Sequence, residues 1–219
     1  SLVGSEMCIR DSTRTSNRQK RKKKMSLPLK ELIKIGQTQL KEAGIGDADR
    51  DARDLYCFLD KIDAVGLMMH WQDTLQDNAC EAYFDLIQRR AAGEPMQYIT
   101  GVQEFMGIPF KVTPQVLIPR QDTETMVEDA IEAIEKGTLR GRPFIKAAAI
   151  KEVLDLCTGS GAIGVSIAKM CPKVKVVCSD ISSEALKIAE ENAQASGCKS
   201  VRFCLLYTSP SPRDSTSSR

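Results

Sequence analysis

The sequence predicts an α/β protein, a mostly parallel sheet domain preceded by a small helical domain. Three observations predict it. Residues 152–183 run apolar stretch, glycine turn, helical stretch, apolar stretch, which is the order of a β-α-β unit. Residues 25–93 carry only helical periodicity. Residues 96–116 then break that period with two glycines and two prolines among aromatic and branched residues, the pattern of a hairpin joining two domains.

The chain ends are set aside first. Back-translating Glu6–Asp11 as GAG ATG TGT ATA AGA GAC, followed by AG, gives a strand whose reverse complement encodes Cys-Leu-Leu-Tyr-Thr-Ser, the residues Cys204–Ser209. One tail encoding the complement of the other points to adapter read-through, so Ser1–Ser12 and Cys204–Arg219 are excluded from fold reasoning. The basic run Arg18–Lys24 ahead of Met25 has two readings: a nucleic-acid arm, or a translated purine-rich leader, which is preferred. Residues 25–203 hold 21 Lys and Arg against 26 Asp and Glu, a net of −5, so the formal +2 of the whole chain comes from its tails. A mildly acidic body argues against a dedicated nucleic-acid module. No apolar run approaches the ~18 residues of a membrane span. The eight cysteines form no C-x-x-C pair and suit buried positions in a reducing cytoplasm rather than a disulfide frame or a metal site. His70, the one histidine, lies in the apolar patch Gly66–Trp71 and is expected to be packed.

Apolar positions predict helices over Leu29–Ala43 with Gly44 as a stop, Asp49–Leu59, Asp63–Met69, and Asp77–Ala92 ended by Gly93. A hairpin follows over Met96–Val116. Asp122 or Thr123 is expected to cap a helix running to about Lys136, and residues 137–148 read as a linker. In the β-α-β unit, Val153, Leu154 and Leu156 form the first strand, Cys157–Gly161 the turn, Ala162–Met170 the helix, and Val174–Cys178 the second strand, ending at Asp180. Ser182 or Ser183 caps a helix through Ala195 with Gly197 as its stop, and Val201–Phe203 begins a third strand.

A unit of this kind takes an adenosine-type cofactor: the loop and helix N-terminus receive its polar middle, and the carboxylate accepts the ribose hydroxyls. Gly159-x-Gly161-x-x-Gly164, with Asp180 about 20 residues on, matches the dinucleotide fingerprint. Asp155 favours S-adenosylmethionine instead. Two residues before the loop, a carboxylate can meet a cofactor ammonium directly or through water, but it repels a pyrophosphate. The blander alternative is a doubly wound domain with a glycine turn and no such site.

Several motifs in order resemble one family, the release-factor glutamine methyltransferases (PrmC/HemK). They are Asp51-Ala52-Arg53; Gly93-Glu94-Pro95 with Tyr98-Ile99-Thr100-Gly101; Leu117-Ile118-Pro119-Arg120-x-Asp122-Thr123-Glu124; Asp155-Leu156-x-Thr158-Gly159-Ser160-Gly161-Ala162-Ile163; and Asn192-Ala193. The resemblance implies a class I S-adenosylmethionine methyltransferase, Rossmann-like α/β, acting on the glutamine side-chain amide in the Gly-Gly-Gln motif of peptide-chain release factors. It covers residues 25–203 and implies a helical substrate-recognition domain at 25–95, a hairpin linker at 96–120 and the N-terminal part of a cofactor domain at 121–203; the adapter-like ends leave a leader or non-native segment at 1–24 and a non-native tail at 204–219. The expected cofactor positions are Asp155, Cys157, Thr158, Gly159, Ser160, Gly161 and Asp180, with Arg120 and Glu124 as further lining residues or, alternatively, helix-start and packing residues. Cys157 stands where the family often has glycine, and at positive φ its Cβ would cost on the order of 1 kcal/mol. The family's Asn-Pro-Pro-Tyr motif, which orients the amide, does not occur in these 219 residues, so no catalytic residue is assigned and the chain as written is expected to be inactive. A monomeric cytoplasmic protein with a release factor as partner, no membrane contact and no direct nucleic-acid contact is expected. The alternatives are a dinucleotide-dependent oxidoreductase on the same unit, and a binding module using the basic leader.

Overall fold

The computed structural model describes residues 26–146 and 149–207. The leader, the basic run Arg18–Lys24 and the tail from Thr208 lie outside the described residues.

The N-terminal unit is helical. A two-residue strand β1 (Leu27–Pro28) leads into α1 (Leu29–Glu42), α2 (Ala48–Asp60), α3 (Ala64–Met69), the short strand β2 (Thr74–Leu75), α4 (Asp77–Ala91) and α5 (Met96–Thr100). β1 and β2 pair antiparallel. The expected stripes form its core: Leu29, Leu32, Ile33 and Leu40 of α1 pack with Ala52, Leu55 and Tyr56 of α2 and Tyr83 and Ile87 of α4. Gly36 makes the closest approach possible, because a Cβ there would strike the Tyr83 hydroxyl and the Ile87 side chain. That hydroxyl donates to the Ala52 carbonyl at 3.0 Å, so its burial leaves no donor unpaired. Burial pushes the Tyr83 pKa far above the usual phenol value.

Two expectations fail in this unit. Met96–Thr100 is a helix rather than the first arm of the hairpin. Pro95 at its N-cap and Gly101 in the left-handed region at its end are good boundaries for a single helical turn, and Met96 and Ile99 join the helical core. His70 is exposed, with its Nδ1 2.7 Å from Asp73 Oδ2. The patch around it is packed only in part: Leu67 is buried and Trp71 is half-buried against the helical core, while Val65, Met68 and Met69 lie in solvent.

The hairpin is β3 (Val102–Phe105) with β4 (Ile108–Lys111), antiparallel around Met106-Gly107. Phe105 and Phe110 bury edge-to-face, with ring centroids 6.2 Å apart. The chain then reaches a 3-10 turn, Gln121–Thr123, which runs straight into α6 (Glu124–Lys136). Neither Asp122 nor Thr123 caps this helix: Thr123 already has helical dihedrals, and a capping side chain needs extended backbone at that position. Within the expected linker, β5 (Thr138–Leu139) and β6 (Arg142–Pro143) form a small hairpin. Glu132 holds it by accepting from Thr138 Oγ1 at 2.6 Å and from the Arg140 and Gly141 amides at 3.0 Å.

The second unit is the β-α-β-α-β run β7 (Glu152–Leu156), α7 (Ala162–Met170), β8 (Lys175–Asp180), α8 (Ser183–Ala195) and β9 (Val201–Leu205). The three strands are parallel in the order β7-β8-β9. Ser182 caps α8 by accepting from the Ala185 amide at 3.1 Å. β9 continues through Cys204 and Leu205, two residues beyond the expected end of the native strand. Val153, Val176, Cys178, Val201 and Phe203 face a core shared with α6 and α7. On the other face of β7, Leu154 and Leu156 are 59% and 60% exposed. Among the described residues β7 has a partner strand on one side only.

Candidate cofactor site at the ends of β7 and β8

β7 delivers Asp155 to the base of the glycine loop and β8 delivers Asp180 to its rim. Asp155 is buried, and its Oδ2 accepts from Thr158 Oγ1 at 2.6 Å and from the Gly164 amide in the first turn of α7 at 3.0 Å. The carboxylate thus lies on the positive end of that helix. Burial is the largest influence on it and raises its pKa, with Asp180 adding to the rise, while the bonds from Thr158 and Gly164 pull the other way.

Asp180 is also buried and holds the loop from the other side. Its Oδ2 accepts from the Gly159 amide at 2.9 Å and its Oδ1 from the Ser182 amide at 3.0 Å. Each oxygen keeps a second lone pair for a ligand hydroxyl. The Thr158 amide donates to the Ser179 carbonyl at 2.9 Å, and the Gly161 amide to the Thr158 carbonyl at 2.9 Å, which closes the turn.

The expected glycines divide into two kinds. Gly159, at φ +55°, would place a Cβ in open space with nothing within 4 Å, so its missing side chain leaves the loop's outer surface clear. Gly161, at φ +81°, would drive a Cβ to 3.0 Å from Ala189 Cβ, so it permits loop and α8 to touch. Gly164 does the same between α7 and the sheet, where a Cβ would overlap Cys178 Sγ and crowd Asp155. Cys157 does adopt positive φ, at +59°, and is exposed.

The remaining expected residues are more structural than their motifs suggest. The Thr158 hydroxyl is committed to Asp155, and the Ser160 carbonyl accepts from Asn192 Nδ2 at 2.8 Å. Glu124 accepts from the Met106 amide at 2.7 Å, pinning the hairpin turn to the start of α6. Arg120 is exposed. Far from this end, the two helical motifs meet through a residue outside both: Arg90 Nε donates to Asp51 at 2.7 Å and its Nη1 to the Glu94 carbonyl at 3.0 Å. Asn192 is the residue the sequence reading left out of the site. Its signal was a polar side chain on the apolar stripe of Ile188, Ala189 and Ala193, a position where a buried asparagine needs partners.

Comparison with known proteins finds matches to both units of the chain. Residues 31–101 match the PrmC N-terminal domain, a segment that ends where α5 stops, and residues 149–212 match a methyltransferase domain. The chain is 38% identical over 168 residues to a release factor glutamine methyltransferase of Clostridium acetobutylicum, covering 77% of this chain and 55% of that protein. It is 46% identical over 133 residues to that of Bordetella pertussis, covering 61% of this chain and 45% of the other. Among solved structures, a tRNA (uracil-54, C5)-methyltransferase of Pyrococcus abyssi matches with TM-score 0.37 and 17% identity over 48% of this chain and 23% of its own, too slight a likeness to bear on function. The chain spans about half the length of these curated relatives, and over its two matched segments it is similar to the release-factor glutamine methyltransferases.

Proposed function

We propose that this chain binds S-adenosylmethionine at the glycine loop between β7 and α7, as part of an enzyme that methylates the glutamine side-chain amide in the Gly-Gly-Gln motif of peptide-chain release factors. The observation that carries this is the pair of carboxylates on either side of the open Gly159 surface. Asp155 already occupies the Gly164 amide at the start of α7, where a dinucleotide's pyrophosphate would need a free donor and would meet a negative charge instead. A sulfonium cofactor with an ammonium group suits that charge, and its ribose suits the free lone pairs of Asp180. The residues therefore fit this cofactor better than a nicotinamide dinucleotide.

S-Adenosylmethionine, when bound, supplies an electrophilic methyl group. The chain's own residues then bind and orient: Asp155, Cys157–Gly161 and Asp180 hold the cofactor, and Arg120 lines the mouth. Glu124 contributes by fixing the hairpin turn. The helical unit is the holder of the release factor, and the net −5 of residues 25–203 supports a protein partner over nucleic acid. An amide nitrogen is a poor nucleophile because its lone pair is delocalised, so it must be aligned with the methyl group and its hydrogens accepted. The Asn-Pro-Pro-Tyr motif assigned to that task by the resemblance is not in this sequence. These 219 residues accordingly supply binding without methyl transfer, as a cytoplasmic monomer. The test is radiolabelled methyl transfer to a release factor. A chain continued to the relatives' length should label the glutamine and the 219-residue chain should not; labelling by the shorter chain, or by neither, would refute the proposal.

A further inference from the structure

One side chain joins the glycine loop to the β3–β4 hairpin. Asn192 on α8 is 2% exposed. Its Oδ1 accepts from the Lys111 amide at 2.7 Å, and its Nδ2 donates to the Lys111 carbonyl at 3.0 Å and to the Ser160 carbonyl at 2.8 Å. Lys111 pairs with Val102 in the hairpin, yet both its backbone polar groups face away from β3, and Asn192 serves them as a neighbouring strand would. Both donors of the carboxamide are used, one on each side of the joint. The hairpin in turn continues the helical unit. Gly101 ends α5, and Tyr98 of α5 donates to the Val116 carbonyl at 2.8 Å and packs beside Val112, Val116, Ala185 and Ile188.

We propose that Asn192 is a positioning residue that couples the cofactor loop to the hairpin, so that a ligand seated on the loop firms the hairpin's hold on α8. The ligand's identity rests on the function proposed above; the coupling does not. Coupling of this kind is reciprocal: a change in the hairpin that loosens the loop weakens the ligand, and the ligand must stabilise the hairpin by the same factor.

Backbone amide hydrogen exchange on the full chain, with and without S-adenosylhomocysteine, tests this together with calorimetric affinity. In the wild type the ligand should slow exchange at the Val112 amide, which bonds Gly101 across the hairpin. Asn192→Ala should speed exchange at Gly161 and weaken S-adenosylhomocysteine about tenfold, the scale of one buried hydrogen bond, and ligand protection should no longer reach Val112. Lys111→Pro perturbs the joint from the far side. It removes the amide that faces Asn192, at an edge position where proline is tolerated. It too should speed Gly161 exchange and weaken the ligand. Lys111→Ala removes only the surface ion pair with Glu191 and should do neither. The Val176 amide, bonded to Ser200 in the sheet, controls for global unfolding. If Asn192→Ala does not fold, Lys111→Pro decides alone. Faster exchange in the hairpin with Gly161 and the affinity unchanged would reduce Asn192 to a docking contact and overturn the proposal. If the wild type does not bind S-adenosylhomocysteine, the cofactor assignment fails, while the response of Gly161 to Lys111→Pro still decides the coupling.

Discussion

The two halves of this chain solve burial differently. The helical unit closes on itself: α1, α2 and α4 bury their stripes against one another, and the Tyr83 hydroxyl and the Asp51 carboxylate both have partners within the unit. The sheet unit packs α7 and α8 on its strands, with α6 behind α7, and leaves Leu154 and Leu156 of β7 bare on the other face. A helical unit built from local contacts needs only its own stripes, whereas a parallel strand is normally buried on both faces. The two units should therefore respond to damage separately.

The largest effect should come from Tyr83→Ala, which empties the centre of the helical core at a cost of about 3–5 kcal/mol. Denaturation followed by exchange at single amides should show the helical unit lost while the Val176 amide keeps its protection. Loss of both together would mean that the two units share one transition. Gly164→Ala makes the opposite break. Its Cβ meets Cys178 and Asp155 rather than open space, so it should cost the sheet unit about 1–3 kcal/mol and leave the helices untouched. Unchanged sheet stability would show that α7 can shift outward freely.

Cys157→Gly should stabilise the sheet unit alone. It relieves a positive φ and should raise sheet stability by about 1 kcal/mol in chemical denaturation. The smallest effect concerns pH. Burial raises the Asp155 pKa above its ordinary value of 3.8, so the folded sheet unit holds a proton more tightly than the unfolded chain. This contribution is most favourable below pH 3.8 and is lost as pH rises through the folded pKa. Asp155→Asn keeps an acceptor for Thr158 and Gly164, so it should raise the sheet unit's melting temperature at neutral pH and not in acid. A uniform shift across pH would remove ionisation as the cause.

Much of both units was legible because their patterns are local. The stripes of α1, α2 and α4 repeat within single helices, and the β-α-β unit announces itself by apolar runs on either side of a glycine turn. Helix α5 was hidden because five residues show no full period, and glycine and proline on either side of it resemble a turn. The exposure of His70 was hidden because α3 turns only Leu67 inward, which composition does not reveal. At the site, Asp155, Gly159 and Asp180 were readable from spacing. The bonds of Asn192 were not: its partner is the backbone of Lys111, 81 residues away, and a backbone partner leaves no mark on residue type. The same holds for Glu124, whose carboxylate takes the Met106 amide.

The most direct test of the cofactor assignment is calorimetric titration of the 219-residue chain with S-adenosylhomocysteine and, separately, with NAD. S-Adenosylhomocysteine should bind and NAD should not, and Asp180→Ala should weaken the binding by about 1–3 kcal/mol, the scale of charge-assisted hydrogen bonds to a ribose. Binding of NAD alone, or an affinity for S-adenosylhomocysteine unchanged by Asp180→Ala, would contradict the site placed between Asp155 and Asp180.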